Sequence, residues 1–341
     1  MYIHQQFCIS PQHTAGTIDL EKPIAASEGK LVAIEPVLEG IPPGMLRRMS
    51  KAVRMGIGAG LPLLKDVVPD GIIIGTANGG MEDCIKFLNQ IIDYEEGMLT
   101  PGNFVQSTPN AIAGQLSLIK KNRNYNATHV HLGLAFENAL TDAQLFLKEH
   151  PENTYLTGAV DEISTYNYNI DRLAGWYDPL LASTDLYTTD HAATIAGEGA
   201  ALFLLSGQAA GAIAKIEMVN LLHTTDVTAV TRHLEALLDA YPVTDSTLFI
   251  SGENGDRRYQ FFYDAFEKYT GTAPVIRFKH LTGEYPTATS FAVWLAAQLL
   301  QEQHAPDHLF KKGSALQKAD RIILYNQYHG EQHSFIIISE K

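Results

Sequence analysis

The side chains in this sequence that could do chemistry at neutral pH are few and scattered. There are two cysteines, Cys8 and Cys84, too few for a zinc site or a disulfide framework. Both read as small buried apolar residues. Two histidine pairs, His304 with His308 and His329 with His333, have the i, i+4 spacing that can hold a metal on a helix. Neither has the glutamate after its first histidine that marks the metalloprotease motif, and His329 falls in an expected turn. Both pairs read as surface histidines, so no metal and no other cofactor is expected. Arg47, Arg48, Lys51 and Arg54 form the clearest basic cluster. It reads either as a partner-binding helix face or as a solvated one.

The background to that cluster is acidic. The 341 residues carry 25 basic and 38 acidic side chains, a formal charge of -13, which argues against nucleic-acid binding. No run approaches about 18 uninterrupted apolar residues, so no membrane span is expected. Met1 to Gln12 lacks a basic start and an apolar run, so a signal peptide is not expected and the location is expected to be cytoplasmic.

Short β-branched runs alternate with helical patterns along the chain, which is the signature of an α/β protein. Strands are expected at Gly71–Thr76, Thr128–Leu132, Thr154–Gly158 and Ala200–Leu205. The rhythm returns at Thr247–Gly252 and Pro274–Phe278, and Arg321–Tyr325 with Ser334–Ser339 closes the chain as a strand pair. Helices are expected at Phe136–Lys148, Arg258–Tyr269 and Pro286–Glu302. The length suits two fused α/β units. The division expected is residues 1–205 and 206–341, with a loop-rich excursion over 161–191.

Seven segments, in order, resemble the β-ketoacyl synthases of the thiolase superfamily. They are Leu46–Lys51 for the Arg-Arg-Met helix start, Gly71–Thr76 with Gly79-Gly80 for the first core strand, and Pro101–Phe104 with Asn110–Gly114. Then come Gly158–Asp161 for the Gly-Gly-x-Asp loop, Gly197–Ala201 for Gly-Glu-Gly-Ala, Lys279–Gly283 for Lys-Ser-x-Thr-Gly, and Asn326. The resemblance implies a thiolase fold, with duplicated halves in a layered αβαβα architecture.

It also implies where the chemistry should be. The family condenses acyl chains with a cysteine at a strand-to-helix turn, where the helix N-terminus lowers the thiol pKa, and with two histidines. Matching from the following helix places Gly133 at the nucleophile; matching from Ala127-Thr128 places Val130 there. Residues 130–138 contain no cysteine, serine or threonine. The first histidine position reads Glu253, or Asn254 if the next glycine is the anchor, and the second reads Glu284. The family lysine is Lys279. Glu253, Glu284 and Lys279 are expected either as a salt-bridge cluster filling the old site or as a new acid/base site. His131 is expected in the core or at a dimer interface.

The resemblance further implies a dimer and, through Arg47, Arg48, Lys51 and Arg54, docking of an acidic acyl carrier protein. The expected function is a ketosynthase-like subunit without condensing activity, like the chain-length factors, pairing with an active ketosynthase in fatty-acid or polyketide-type biosynthesis. The alternatives are an enzyme acting on a carrier-bound acyl thioester through a Glu/Lys pocket, and an acyl-binding scaffold homodimer.

Overall fold

The computed structural model describes residues 1–314, 316 and 318–341. The first half runs β1 (Tyr2–Ile9), β2 (Lys30–Leu31), α1 (Pro43–Leu46), α2 (Lys51–Leu63), β3 (Gly71–Gly75), α3 (Met81–Asp93), α4 (Pro101–Gln106), α5 (Ala111–Lys120), β4 (Tyr125–His129), α6 (Ala135–Glu149), β5 (Thr154–Asp161), α7 (Thr165–Leu173), β6 (Ala196–Gly197) and β7 (Gly199–Ser206). The second runs β8 (Ala214–His223), α8 (Val227–Ala240), β9 (Thr247–Ser251), α9 (Gln260–Glu267), β10 (Val275–Arg277), α10 (Lys279–Thr282), α11 (Thr289–Glu302), β11 (Phe310–Lys312), β12 (Arg321–Tyr328) and β13 (Gln332–Ser339).

Eleven strands form one sheet in the order β11-β10-β9-β12-β13-β8-β1-β7-β5-β3-β4. Read outward from the centre, β1-β7-β5-β3-β4 and β8-β13-β12-β9-β10 are the same topology twice. In each half the first pairing from the centre is antiparallel, the second antiparallel, and the next two parallel. The halves meet at β1 and β8. This is the duplicated thiolase arrangement that the resemblance implied.

Parallel strands buried on both faces require continuous apolar runs, and Ile72–Ile74 and Leu248–Ile250 supply them, all at 0% exposure. The long helices that follow β4 and β10, α6 and α11, lie in the interior. Helix α11 is apolar or small nearly all round, with Phe291 through Ala297 buried, as a helix must be when covered on every side. Helix α6 buries one face through Phe136, Ala139, Leu140, Ala143 and Leu147.

The expected elements shift by a few residues at their ends. The strand expected at 128–132 spans Tyr125–His129, and Leu132–Leu134 is a 3₁₀ turn. Strands β1 and β8 escape a reading of apolar runs. Gln5-Gln6 interrupts β1, where the register also shifts between Ile3 and Gln5, and β8 is only half-buried along most of its length. The excursion at 161–191 contains α7 and packs onto the second half through Trp176.

Asp161, at the end of β5, ties the halves together. Its Oδ1 accepts from Thr76 Oγ1 at 2.9 Å, Ala77 N at 2.9 Å and Asn78 N at 3.0 Å; its Oδ2 accepts from Thr287 Oγ1 at 2.8 Å. Burial raises its pKa, and these four donors act against the rise. Asp161→Ala strands two backbone N–H groups and two hydroxyls at the interface. The expected loss is roughly 3 kcal/mol or more, from about 1–3 kcal/mol per unmade buried bond. Urea unfolding of the variant checks this, and a loss under about 1 kcal/mol would contradict it.

Candidate functional site

The family's reaction centre would lie between the halves, where the turn after β4 faces the turn after β9. The β4–α6 turn is sharply bent. Leu132 has φ +48°, a left-handed conformation that costs a branched side chain on the order of 1 kcal/mol. Leu132 is therefore the apex, between the two positions that sequence matching offered. Val130 and Leu132 are exposed, at 52% and 53%, and carry no reactive group.

Gly133 is sealed. A Cβ placed there would lie 2.3 Å from Cβ of Tyr328 and 2.6 Å from its Cγ, so only glycine fits beneath that ring. The Gly133 N–H, a backbone donor at the start of the helical segment, donates to Gln332 Oε1 at 2.8 Å. A donor of this kind could otherwise meet a developing oxyanion; here a side chain of the same protein fills it.

Tyr328 and His329 are in the β12–β13 hairpin, where the family's glycine-rich loop would be. His329 has φ +53°. Its ring stacks on Trp176 with centroids 3.6 Å apart and on Tyr328 at 3.9 Å. The Arg258 guanidinium covers the Trp176 ring at 4.6 Å. Burial pushes the His329 pKa down to about 4, with Arg258 adding to the fall, so the ring in this stack is neutral at pH 7. An aromatic stack thus caps the space where a substrate carbonyl would approach.

Beneath it, Lys279 Nζ meets Glu284 Oε1 at 2.6 Å, with the two side chains 0% and 4% exposed. Asn254 Nδ2 donates to the other oxygen, Glu284 Oε2, at 2.7 Å. Asn254 is therefore the residue at the first histidine position that reaches this cluster. The spacing dictates the pairing: α10 is a single turn, and Gly283 at φ +69° reverses the chain so that Glu284 folds back beside Lys279. Burial lowers the Lys279 pKa and raises that of Glu284, and each partner's charge acts against the shift in the other. Gly197 backs onto this reversal; a Cβ there would fall 1.9 Å from Thr282 O, which accounts for glycine in the Gly-Glu-Gly segment.

Glu253 does not join them. Its carboxylate turns to Arg277 Nη1 at 3.1 Å and to Lys311, and Lys311 also bonds Glu267 at 2.7 Å. At this turn Asn254 points to Glu284, whereas Glu253 points to Arg277 and Lys311. The expected three-residue site is two separate ionic clusters.

Sequence reading missed Glu137. It lies in the first turn of α6, where an acid is normally a helix-dipole partner in solvent. Here it is 0% exposed and neither oxygen has a hydrogen-bond partner among the described residues. Burial pushes its pKa up to about 7; its own helix N–H, the nearby Ser334 and Thr289 hydroxyls, too poorly placed to form hydrogen bonds, and the charge of Lys279 act against the rise. The only sequence signal was its flanking by Ala135-Phe136 and Ala139-Leu140.

Other expectations change with burial. His333 is 0% exposed, within reach of Tyr325 Oη at 3.0 Å and Thr224 O at 2.9 Å; His308 bridges His280 at 2.9 Å and Leu20 O at 2.7 Å. These two are structural histidines, not surface ones. His131 is exposed in the single chain and contacts Asn138 at 2.7 Å. Cys8 is buried, but Cys84 is only partly so. Among the described residues no cluster of three or more His, Cys, Asp or Glu could hold a metal, and no helix is long and apolar enough to cross a membrane.

The basic cluster is also divided. Arg47 ends α1, and Lys51 and Arg54 belong to α2, so the four do not form one helix face. Lys51 pairs with the buried Glu198, and Arg54 grips Glu35 through two bonds of 2.8 Å. Arg47 and Arg48 remain exposed.

Residues 23–173 match the family model described as beta-ketoacyl synthase, N-terminal domain. Together with the duplicated topology, this gives the chain the thiolase fold, with a first half similar to the N-terminal domain of β-ketoacyl synthases. More particularly, it is similar over its whole length to a β-ketoacyl synthase from Burkholderia phymatum STM815, with TM-score 0.78, 14% identity and 99% of that chain covered. It is similar also to a ketosynthase (ApeO) in complex with its chain length factor (ApeC) from Xenorhabdus doucetiae, with TM-score 0.78, 13% identity, and 100% and 98% of the two chains covered. A third similar structure is AntDE:AntF, a type II polyketide acyl-carrier protein in complex with its ketosynthase, with TM-score 0.73, 14% identity, and 100% and 99% covered. At such identities the likeness is one of fold. No curated protein sequence matches the chain.

Proposed function

We propose that this chain is a ketosynthase-like subunit that does not itself condense, that pairs with an active ketosynthase, and that helps hold an acyl carrier protein in fatty-acid or polyketide-type biosynthesis. One observation carries the reading: the β4–α6 turn presents no nucleophile, and its buried glycine is closed over by Tyr328 with its N–H taken by Gln332. The Lys279–Glu284–Asn254 cluster is internally paired and buried, which fits a structural remnant better than an acid/base site.

The partner surface follows from the sheet. Strand β4 is an outer edge of the eleven-stranded sheet, and Tyr125, Val130 and Leu132 are exposed along or just beyond it. An uncovered edge beside apolar side chains is a ready pairing surface for a two-fold dimer, with itself or with a ketosynthase. For the carrier, Arg47 and Arg48 provide the positive charge, because Lys51 and Arg54 are already neutralised by acids of the chain itself. Similar solved structures include a ketosynthase with its chain length factor and a ketosynthase with its carrier protein, which supports both partnerships.

Sedimentation velocity, alone and with the ketosynthases and acyl carrier proteins of the same cell, tests the reading. The expected result is a dimer, homomeric or with a ketosynthase. Carrier binding is expected to fall about tenfold or more in Arg47→Glu/Arg48→Glu and to weaken with salt. A monomer in every mixture, or carrier binding unaltered by the double charge reversal, would reject it.

A further inference from the structure

A cleft of about 790 Å³ lies on the first half, framed by α1 and the start of α2, by α3, by α4, and by the segment following β5. The sealed centre described above does not contribute to it. Two carboxylic acids line the cleft deep in the fold: Asp83 is 6% exposed and Glu162 is 8% exposed. Glu162 Oε2 accepts from Ala52 N at 3.0 Å, whereas Glu162 Oε1 and Asp83 Oδ2 have no hydrogen-bond partner among the described residues. The same is true of Ser50 Oγ and Glu82 Oε2, which also line the cleft. Arg47, Arg48 and Lys86 stand at the exposed rim.

Buried carboxyl oxygens without donors are costly and uncommon in folded proteins. Four partnerless oxygens around one concave space mark a place built for donors that come from outside the chain. A metal ion is a poor fit, because no three His, Cys, Asp or Glu groups converge on a point among the described residues. A primary ammonium fits: it brings three N–H donors and one positive charge, and it can divide them between two carboxylates and a hydroxyl. The rim then needs a complementary negative group, since Arg47 and Arg48 carry no ion pair among the described residues and Lys86 makes only an i, i+4 contact to Glu82 at 3.3 Å.

We propose that this cleft binds a small zwitterion, with its primary ammonium between Asp83 and Glu162 and its carboxylate or phosphate at the Arg47–Arg48 rim. The carrier-docking proposal uses the same two arginines but not the carboxylate floor, so the two readings can fail separately. Binding depends on pH through that floor. Burial holds Glu162 up at about 7, against the Ala52 N–H, with Glu198, Asp83 and Glu82 adding to the rise; burial also raises Asp83, against the nearby Ser50 hydroxyl and the pull of Lys86, with Glu82 adding to it. Arg54, bonded to Glu35, also acts on Glu162 and Glu198. The ammonium needs ionised acids, so affinity rises as pH increases through about 7 and falls as pH drops below it.

Isothermal titration with O-phosphoethanolamine and with 4-aminobutyrate tests the proposal and separates the phosphate source from the carboxylate one. Ethanolamine and inorganic phosphate serve as single-charge controls. At least one zwitterion is expected to bind at least about tenfold more tightly than either control, since charged hydrogen bonds contribute at both ends. Asp83→Asn and Glu162→Gln are each expected to weaken it about tenfold or more, without lowering the melting temperature or altering carrier binding. The exposed Arg48→Gln, which does not threaten the fold, is expected to weaken the zwitterion and leave ethanolamine unchanged. Absence of zwitterion binding at millimolar concentration, ethanolamine binding as tight as the zwitterion, or affinity indifferent to all three substitutions would overturn it.

Discussion

The Gly133→Cys protein is expected to form no acyl-enzyme and to be less stable than the parent. A cysteine is what the family's chemistry needs at a strand-to-helix turn, and Gly133 is one of the two positions that sequence matching selects for it. The geometry forbids the repair. The new Cβ would lie 2.3 Å from Cβ of Tyr328, whose ring is stacked on His329, and His329 on Trp176. Overpacking of this kind costs about 1–3 kcal/mol. The thiol would also lack an oxyanion donor, because Gln332 holds the Gly133 N–H. Val130→Cys avoids the clash, being exposed, but gains no base: the opposing turns present Asn254 and Glu284, tied to each other and to Lys279.

Two missing acid/base groups at roughly a hundredfold each, with no covalent route, put condensation about 10⁴-fold or more below a working synthase. Intact-mass spectrometry after incubation with acyl carrier protein thioesters is the measurement. The parent, Gly133→Cys and Val130→Cys are all expected to show no acyl adduct in the β4–α6 turn. An acyl group mapped to that turn, or to Cys84 of the parent, would disprove the non-condensing reading.

A larger change in stability is expected from separating Lys279 and Glu284. Both side chains are almost wholly buried, and their contact at 2.6 Å is what compensates two desolvated charges. Removing one partner leaves the other charge, or a forced change in its protonation, in the interior. Lys279→Met and Glu284→Gln are each expected to cost on the order of 3–5 kcal/mol. The double variant Lys279→Met/Glu284→Gln is expected to cost less than the two single costs combined, because it leaves no orphaned charge. Urea unfolding of all four proteins gives the coupling. Single variants within about 1 kcal/mol of the parent would show that the pair contributes little. Glu137, buried nearby, makes the Lys279 variant the more severe of the two, because its carboxylate loses the one cation that acts on it.

The features legible in the sequence are those that depend on neighbours along the chain. Ile72–Ile74 and Leu248–Ile250, short and β-branched or apolar and ended by glycine, read as buried strands, and the repeated order of strands and helices pointed to two similar halves. The absence of cysteine, serine and threonine over residues 130–138 already excluded a side-chain nucleophile at the turn, whichever residue stands at its apex. Lys279 and Glu284 are close in sequence, so a single helical turn and Gly283 suffice to bring them together. Composition likewise identified Arg47 and Arg48 as cations in an acidic chain.

Tertiary structure decided which of these groups meet and which remain in solvent. Glu253 and Asn254 are adjacent in the chain, yet packing sends one to Arg277 and Lys311 and the other to Glu284. Lys51 finds Glu198 only because α2 passes the start of β7. Tyr328 closes over Gly133 from nearly two hundred residues away, and the same hairpin carries His329 into a stack and His333 into the core. A residue's type and spacing fix its chemistry and its local backbone. Its burial, its charge state and its partner are set by residues distant in sequence, because desolvation and hydrogen bonding act through space and come into force only when the halves have packed.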